Sequence, residues 1–369
     1  MNDWLPEHQQ HLLYTLAHVD SVIDQVGNVL YDFLESGPLE FENRTVDGRE
    51  DVLIRSIAPV PEVVPRLAAD ALNQMRSAIE HALFAEVCHL TGRKLEAEEA
   101  QAVEMPVKKD EQALTEWFKH KRRRTLPVLQ SSGVLGVRIG ALQPYESVGE
   151  QSHPLKVLAE HTNLSKHRMP AVAAVRLGTV VPDYPVPGLV ITGEYEDDSP
   201  LKAGDVLASV PTGTYLPMSI WPKVGIRRPH TGQWMVLMHE LRQLEEWVRT
   251  HAIPLLVLGT TDVDPIPPHL EIGKGYATYA DAHAEAKAIP AAERHRLRVA
   301  GKGLRDDLPG VFEQKLPDIP RETVDAFITS LSNAEAIELI TRYMRVRENR
   351  GERNAIAYLR RLISATSLS

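Results

Sequence analysis

Two long stretches with apolar residues at steps of three and four constrain the fold most. In the first, from about Pro6 to Glu35, the apolar positions are Leu12, Leu16, Val19, Ile23, Val26, Leu30 and Phe33. In the second, from about Arg66 to Leu90, they are Leu67, Ala71, Leu72, Met75, Ala78, Ile79, Ala82 and Leu83. This spacing matches the 3.6-residue period of an α-helix with one buried face. The chain is therefore predicted to contain two long helices packed through their apolar stripes.

A β-hairpin is predicted between these helices. The segments LEFENRT and DVLIRSI alternate apolar and polar residues on either side of Asp47-Gly48. An Asp-Gly pair favours the tight turn that joins two antiparallel strands. The polypeptide should therefore cross from helix to hairpin and back to helix.

The rest of the chain changes pattern twice. Residues 171–228 form short apolar runs separated by Pro, Gly and Asp, which indicates a small antiparallel sheet, and helices are predicted at about 154–167 and 233–250. A Pro-rich break at 262–268 marks a domain boundary, and mostly helical segments follow it. The predicted fold class is α+β: long antiparallel helices with a β-hairpin and a small antiparallel sheet in residues 1–268, and a helical C-terminal domain in residues 269–369.

Composition narrows the classes of function. With 369 residues, 43% of them hydrophobic, the chain is long enough for two domains. A net charge of −9 opposes general nucleic-acid binding, although a local basic patch could still bind phosphates. Cys88 is the single cysteine, so no intrachain disulfide forms, and it is interpreted as a core residue.

Neither a signal peptide nor a run of about 18 apolar residues is found, so a cytoplasmic protein without membrane contact is expected. The His pairs near the N-terminus lack an HExxH motif or a carboxylate cluster, and the short Gly-Lys-Gly segments lack Walker spacing. No metal and no cofactor are therefore predicted.

The second helix carries an unusual polar face. Opposite its apolar stripe lie the polar residues Asp70, Asn73, Arg76, Ser77, Glu80 and His81. Asn73, Ser77 and His81 follow one another at steps of four and can form one ridge. A long Arg76 side chain could reach toward a ligand held by that ridge. An ordinary hydrated face with an Arg76–Glu80 ion pair is the structural alternative.

This face resembles one found in many uncharacterised bacterial proteins, whose helix reads Asn-x-x-Arg-Ser-x-x-(Asp/Glu)-His. Further segments match the same family in the same order: Val103–Val107, Ile139–Tyr145, His153–Leu155 and Asn163–Arg168. The resemblance covers about residues 1–270 and transfers no activity.

A looser resemblance is to the HEPN superfamily of helical ribonucleases and nucleic-acid-associated proteins. Its signature, an Arg followed by four to six residues and then His, is similar to Arg76-x4-His81, although Ser77 stands where that superfamily usually has Asn, Asp or His. The resemblance implies metal-independent RNA cleavage of a toxin or defence kind. His81 would then transfer protons, Arg76 would hold phosphate oxygens, and Asn73 or Ser77 would orient them. It also implies that a homodimer completes the site.

Two groups of cations could assist. The end of the predicted 154–167 helix carries Lys166, His167 and Arg168, which would extend the catalytic or anion-binding set or simply stabilise the helix C-terminus. The strongest basic run is Lys119, His120, Lys121, Arg122, Arg123 and Arg124, which could bind a phosphate backbone or be an ordinary solvated segment.

The sequence leaves three functions open. The first is a metal-independent endoribonuclease with RNA as substrate. The second is a non-catalytic binding or dimerisation module in which the polar face only shapes a surface. The third is a small-molecule pocket between the helices and the β layer.

Overall fold

The computed structural model of the protein describes residues 4–147, 149–167, 173–182, 184–192 and 199–366. The fold is α+β, with two small antiparallel sheets and a helical C-terminal region. The chain forms two compact units, Met1–Ala292 and Glu293–Ser369. In the described residues, none of the helices combines the length and the apolar character needed to cross a bilayer.

The first unit contains nine α-helices and seven strands among its described residues. In chain order they are α1 His11–Glu35, β1 Leu39–Val46, β2 Arg49–Ile57, α2 Val63–Thr91, α3 Ala97–Ala100, α4 Glu111–Phe118, α5 Val134–Ala141, α6 Pro154–His167, β3 Ala173–Pro182, β4 Val190–Ile191, β5 Val206–Pro211, β6 Met218–Arg227, β7 Trp234–Val236, α7 Leu237–Trp247, α8 Ile253–Leu258 and α9 Tyr279–Glu285. A π-helical turn, Val248–Ala252, joins α7 to α8.

The two long helices pack as their apolar spacing predicts. Leu12, Leu16, Ile23 and Val26 of α1 are buried, and so are Leu72, Met75, Ile79 and Leu83 of α2. These side chains form one continuous core with α6, α7 and α8. Burial of this apolar surface is the main stabilising contribution to the unit.

The hairpin turns at the predicted residues. Asp47 and Gly48 both have positive φ, of 49° and 75°, as a two-residue turn of the primed type requires. The hairpin is part of a larger sheet, however, because β2 also pairs with β5, giving the order β1-β2-β5-β4. A second sheet has the order β3-β6-β7.

Two boundaries differ from those predicted. Residues 234–236 were predicted as helix but form β7, because Trp234, Met235 and Val236 pair with β6. The division between units follows Ala292 instead of residue 268, because Asp20 of α1 holds the intervening segment. The Asp20 carboxylate accepts one hydrogen bond from the Ala291 N–H at 2.6 Å. Its other oxygen lies 3.0 Å from Nδ1 of His269.

The second unit is helical. Its helices are α10 Ala291–Lys315 (which begins two residues before the division), α11 Arg321–Ser330, α12 Asn333–Arg350 and α13 Glu352–Thr366. Phe312, Phe327, Leu339 and Leu359 lie in its separate core. The Ser332 hydroxyl caps α12 by accepting a hydrogen bond from the N–H of Glu335, and the Glu335 carboxylate accepts one from the N–H of Ser332.

Candidate functional site

Arg76 and Glu80 lie in the middle of α2 and form an ion pair of 2.7 Å one helical turn apart. Both side chains also bind the backbone of Met105. Arg76 donates a hydrogen bond to the Met105 carbonyl oxygen, and the Met105 N–H donates one to the Glu80 carboxylate at 2.7 Å. The Arg76 side chain is only 13% exposed. The pair therefore fixes the segment after α3 against the polar face of α2.

Helix α6 covers the other side of this polar face. Ser165 of α6 donates a hydrogen bond of 3.2 Å to the side-chain oxygen of Asn73. Ser77 instead donates to the carbonyl oxygen of Asn73, at 2.9 Å. Asn73 thus connects two helices, and the Ser77 hydroxyl is used within α2.

A cavity of about 350 Å³ lies where α2, α6 and the segment 104–108 meet. Its lining residues are Arg76, Ser77, Glu80, Glu104, Met105, Pro106, Val107, Lys108, Ala159, Thr162, Asn163 and Lys166. We call it the Arg76 cavity. Of the predicted catalytic residues it brings together Arg76, Ser77 and Lys166.

His81 lies elsewhere. Five residues along an α-helix turn by about 140°, so Arg76 and His81 leave α2 in different directions. His81 is exposed, and its ring lies 6.3 Å from that of His11 on α1. Burial and the nearby His81 lower the pKa of His11. The described residues that line the Arg76 cavity do not include His81.

Lys166 is exposed at the rim of the cavity, near the end of α6. His167 ends the helix, but its side chain is not among the described ones, and Arg168 lies outside the described residues. The part that these two residues were predicted to play stays a prediction.

The basic run divides into one buried residue and several exposed ones. Arg123 is 6% exposed and lies over the Trp117 ring, 3.8 Å from its centre. It donates to the carbonyl oxygens of Ala102 and Trp117 and pairs with Glu104 at 2.8 Å. Its donors hold the fold together and are not free for a ligand. Lys119 pairs with Glu116 at 2.9 Å on the surface.

Lys121, Arg122 and Arg124 are exposed. Arg122 and His120 line a second cavity, of about 550 Å³, which we call the Trp117 cavity. Glu104 and Lys108 line both cavities. The two spaces therefore adjoin and share a wall.

The charges of this region are unequally compensated. Arg76 is paired with Glu80, and Arg123 with Glu104. Within the described part of the chain, no carboxylate forms an ion pair with Lys108, Lys166 or Arg122. Three uncompensated cations thus follow the two adjoining cavities, an arrangement that attracts a multiply charged anion.

Arg76 also keeps an unused donor. Its Nη1 is buried and has no hydrogen-bond partner among the described residues. A buried donor without an acceptor destabilises the fold, by about 1–3 kcal/mol in typical cases. An acceptor oxygen that reached this nitrogen would remove that cost.

Sequence reasoning missed Lys108, Thr162 and Asn163 as cavity residues. A signal was present for Asn163, which begins the segment Asn163–Arg168 of the resemblance to the bacterial family, while Lys108 and Thr162 lie one residue outside the segments Val103–Val107 and Asn163–Arg168. Neither segment predicts from its own pattern that it lies against α2. In the described ranges, no group of three or more His, Cys, Asp or Glu side chains is arranged to hold a metal ion.

No known protein family, curated protein or solved structure matches this chain. The function therefore has to be argued from the site itself.

Proposed function

We propose that the first unit is a non-catalytic binding module that holds single-stranded RNA by its phosphates along the Arg76 and Trp117 cavities. The observation that carries the proposal is the line of uncompensated cations, Lys166, Lys108 and Arg122, along two spaces with a common wall. RNA is the ligand class that the looser sequence resemblance implies.

The spacing of the cations supports an extended anion. Lys166 lines only the Arg76 cavity, Arg122 lines only the Trp117 cavity, and Lys108 lines both. A single phosphate would meet one or two of these residues, whereas a strand can place a phosphate at each. Asn163 and Thr162, beside Lys166, add neutral hydrogen-bonding groups that suit sugar or phosphate oxygens.

The charge of the rest of the chain favours RNA binding at the two cavities over general binding of nucleic acid. The whole chain has a net charge of −9, which repels nucleic acid away from local cations. Base stacking contributes little here, because Trp117 is 6% exposed and Arg123 covers its ring. Affinity should therefore come from phosphates and should vary little with base sequence.

Cleavage needs a group that accepts the 2′-hydroxyl proton beside the phosphate. His81 was the predicted base, but it approaches His11 on α1 and not the Arg76 cavity. Arg76 is held by Glu80 and Met105 and keeps only Nη1 for a phosphate oxygen. Binding without cleavage is the function that this arrangement supports.

The test is fluorescence anisotropy with a labelled single-stranded oligoribonucleotide in EDTA at low salt. Lys108→Glu and Lys166→Glu are each expected to weaken binding about tenfold or more, since each reverses a cation beside a phosphate. Lys109→Glu is the matched control, because Lys109 is 82% exposed, pairs with Asp110 and lines neither cavity. Equal affinity in all four proteins would overturn the proposal.

The same samples decide between binding and catalysis. Intact RNA after prolonged incubation with the wild-type protein is the expected result. Degradation in EDTA that His81→Ala or Arg76→Ala abolishes would instead support the ribonuclease that the sequence resemblance implies.

A further inference from the structure

Strand β1 is an exposed edge of the four-stranded sheet. Within the described residues it pairs with β2 alone, at the end of the order β1-β2-β5-β4. From Glu40 to Val46 its residues are exposed, including 41% of Phe41 and 43% of Val46. An edge of eight residues presents a row of backbone groups that another strand can bind.

The sequence of β1 is complementary to itself in one antiparallel register. When Asn43 lies opposite Asn43 of a second copy, Glu42 of each strand lies opposite Arg44 of the other. The same register places Phe41 opposite Thr45, a favourable pairing of an aromatic with a β-branched residue. If one strand slides past the other by two residues, like charges meet. Glu42 then lies opposite Glu42 for a shift in one direction, and Arg44 lies opposite Arg44 for a shift in the other.

The faces of the sheet agree with this register. Side chains alternate between the two faces along β1, so Phe41, Asn43 and Thr45 share one face. Inside the hairpin Asn43 pairs with Val52 and Thr45 with Glu50. Glu42 and Arg44 share the opposite face, on which charges of opposite sign would meet across the two-fold axis. The bulge of the hairpin lies on β2, where Arg55 has no partner opposite the step from Glu40 to Phe41, so residues 41–45 of β1 are regular.

We propose that β1 binds β1 of a second copy of this chain in that register, which joins two four-stranded sheets into one continuous eight-stranded sheet. The occupant follows from the charge complementarity of Glu42 and Arg44 around Asn43. The proposal does not depend on RNA binding. It gives the predicted homodimer an interface on the hairpin and not on the polar face of α2.

The test is charge reversal with rescue, followed by sedimentation equilibrium over a range of protein concentrations. Glu42→Arg alone and Arg44→Glu alone each place like charges opposite one another twice per dimer. Either should raise the dissociation constant of the dimer by about tenfold or more. The double variant Glu42→Arg/Arg44→Glu restores opposite charges across the axis and should return the constant to within about threefold of the wild-type value.

Thermal unfolding of the same variants separates association from folding. Arg44 also lies opposite Asp51 within the hairpin, so Arg44→Glu has a local effect that the rescue must overcome. Glu62→Arg, at an exposed position before α2, is the control for a change of net charge. A wild-type protein that stays monomeric, or a dimer that both single reversals leave unchanged, would overturn the proposal.

Discussion

Arg76 and Glu80 bind the two backbone groups of one residue, Met105. The Arg76 guanidinium donates to the Met105 carbonyl oxygen, and the Glu80 carboxylate accepts from the Met105 N–H. The sequence presents this pair as a candidate catalytic arginine beside an ordinary ion-pair partner. In the structure the two side chains act together to hold the wall of the Arg76 cavity. Arg76 thus combines a structural role with a position in the lining of the cavity.

Removing Arg76 should therefore destabilise the protein as well as alter the cavity. Arg76→Ala leaves Glu80 and the Met105 carbonyl without their partner in a mostly buried place, and we expect a loss of about 2–4 kcal/mol in the free energy of unfolding. Urea unfolding at pH 7 measures it. Arg66→Ala is the control on the same helix, because its pair with Glu62 is exposed at 3.9 Å and should contribute less than about 0.5 kcal/mol. Equal losses in the two variants would contradict the assignment.

Substitutions of the neighbouring residues Arg122 and Arg123 should have different effects, one on RNA binding and the other on the free energy of unfolding. Arg123→Ala removes three backbone and carboxylate contacts from a buried site and should lower the free energy of unfolding by about 2–3 kcal/mol. Arg122→Ala should change it by less than about 0.5 kcal/mol but weaken RNA binding, because Arg122 is exposed and lines the Trp117 cavity. The pattern is read from urea unfolding and anisotropy on the same preparations. A stable Arg123→Ala protein with weakened RNA binding would reverse the two roles.

Salt should reveal how many phosphates the cavities hold. Three uncompensated cations predict a slope of about −2 for the logarithm of the binding constant against the logarithm of salt concentration with single-stranded RNA. Lys108→Ala should reduce the magnitude of that slope by about 0.7. Anisotropy titrations at several salt concentrations measure both. A slope near zero would show that phosphates do not dominate the binding.

The sequence predicted the features that depend on local pattern. The α1 and α2 stripes follow from helical period, and the hairpin follows from Asp47-Gly48, since only a few residues are needed to favour such a turn. The pairing of β2 with β5 was not predictable in the same way, because it joins residues about 160 positions apart and no nearby turn specifies it.

The candidate site shows the same limit. A helical wheel gives the direction in which Arg76 and His81 leave α2, but not what lies there. Met105 and α6 meet Arg76, while His11 meets His81, and these neighbours come from distant parts of the chain. The prediction that both side chains hold one anion rested on the reach of the long Arg76 side chain. Besides Arg76 and Lys166, the cation that lines the Arg76 cavity is Lys108, which belongs to no predicted motif.

Asp20 should control whether the segment after residue 268 stays with the first unit. Its side chain is fully buried, and it holds both Ala291 and His269. Asp20→Ala should lower the free energy of unfolding by about 2–4 kcal/mol and speed tryptic cleavage after Lys274. Asp32→Ala, at an exposed position of the same helix, should do neither. Unchanged cleavage at Lys274 in the Asp20 variant would show that other contacts hold the segment.

His161 should make the fold sensitive to acid. It is 3% exposed on α6, and neither of its ring nitrogens has a hydrogen-bond partner among the described residues. Burial, with smaller effects from His230 and Arg228, lowers the pKa of His161 to about 4 from its usual 6.5. The folded protein therefore holds a neutral ring where the unfolded chain binds a proton. Its contribution to stability is complete above pH 6.5 and is lost as the pH falls toward 4.

That difference can be measured by comparing His161→Leu with the wild-type protein in urea at pH 7.5 and pH 5. Between these values the wild type should lose about 2 kcal/mol more than the variant, which has no imidazole to protonate at this position. Burial also lowers the pKa of His153, to about 4, but that residue is present in both proteins and its effect cancels in the comparison. His18→Leu, at an exposed position of α1, is the matched control for replacing a histidine by leucine and is measured at the same two pH values. If His161→Leu and wild type lost equal stability between the two pH values, His161 would be protonated as readily in the folded protein as in the unfolded chain.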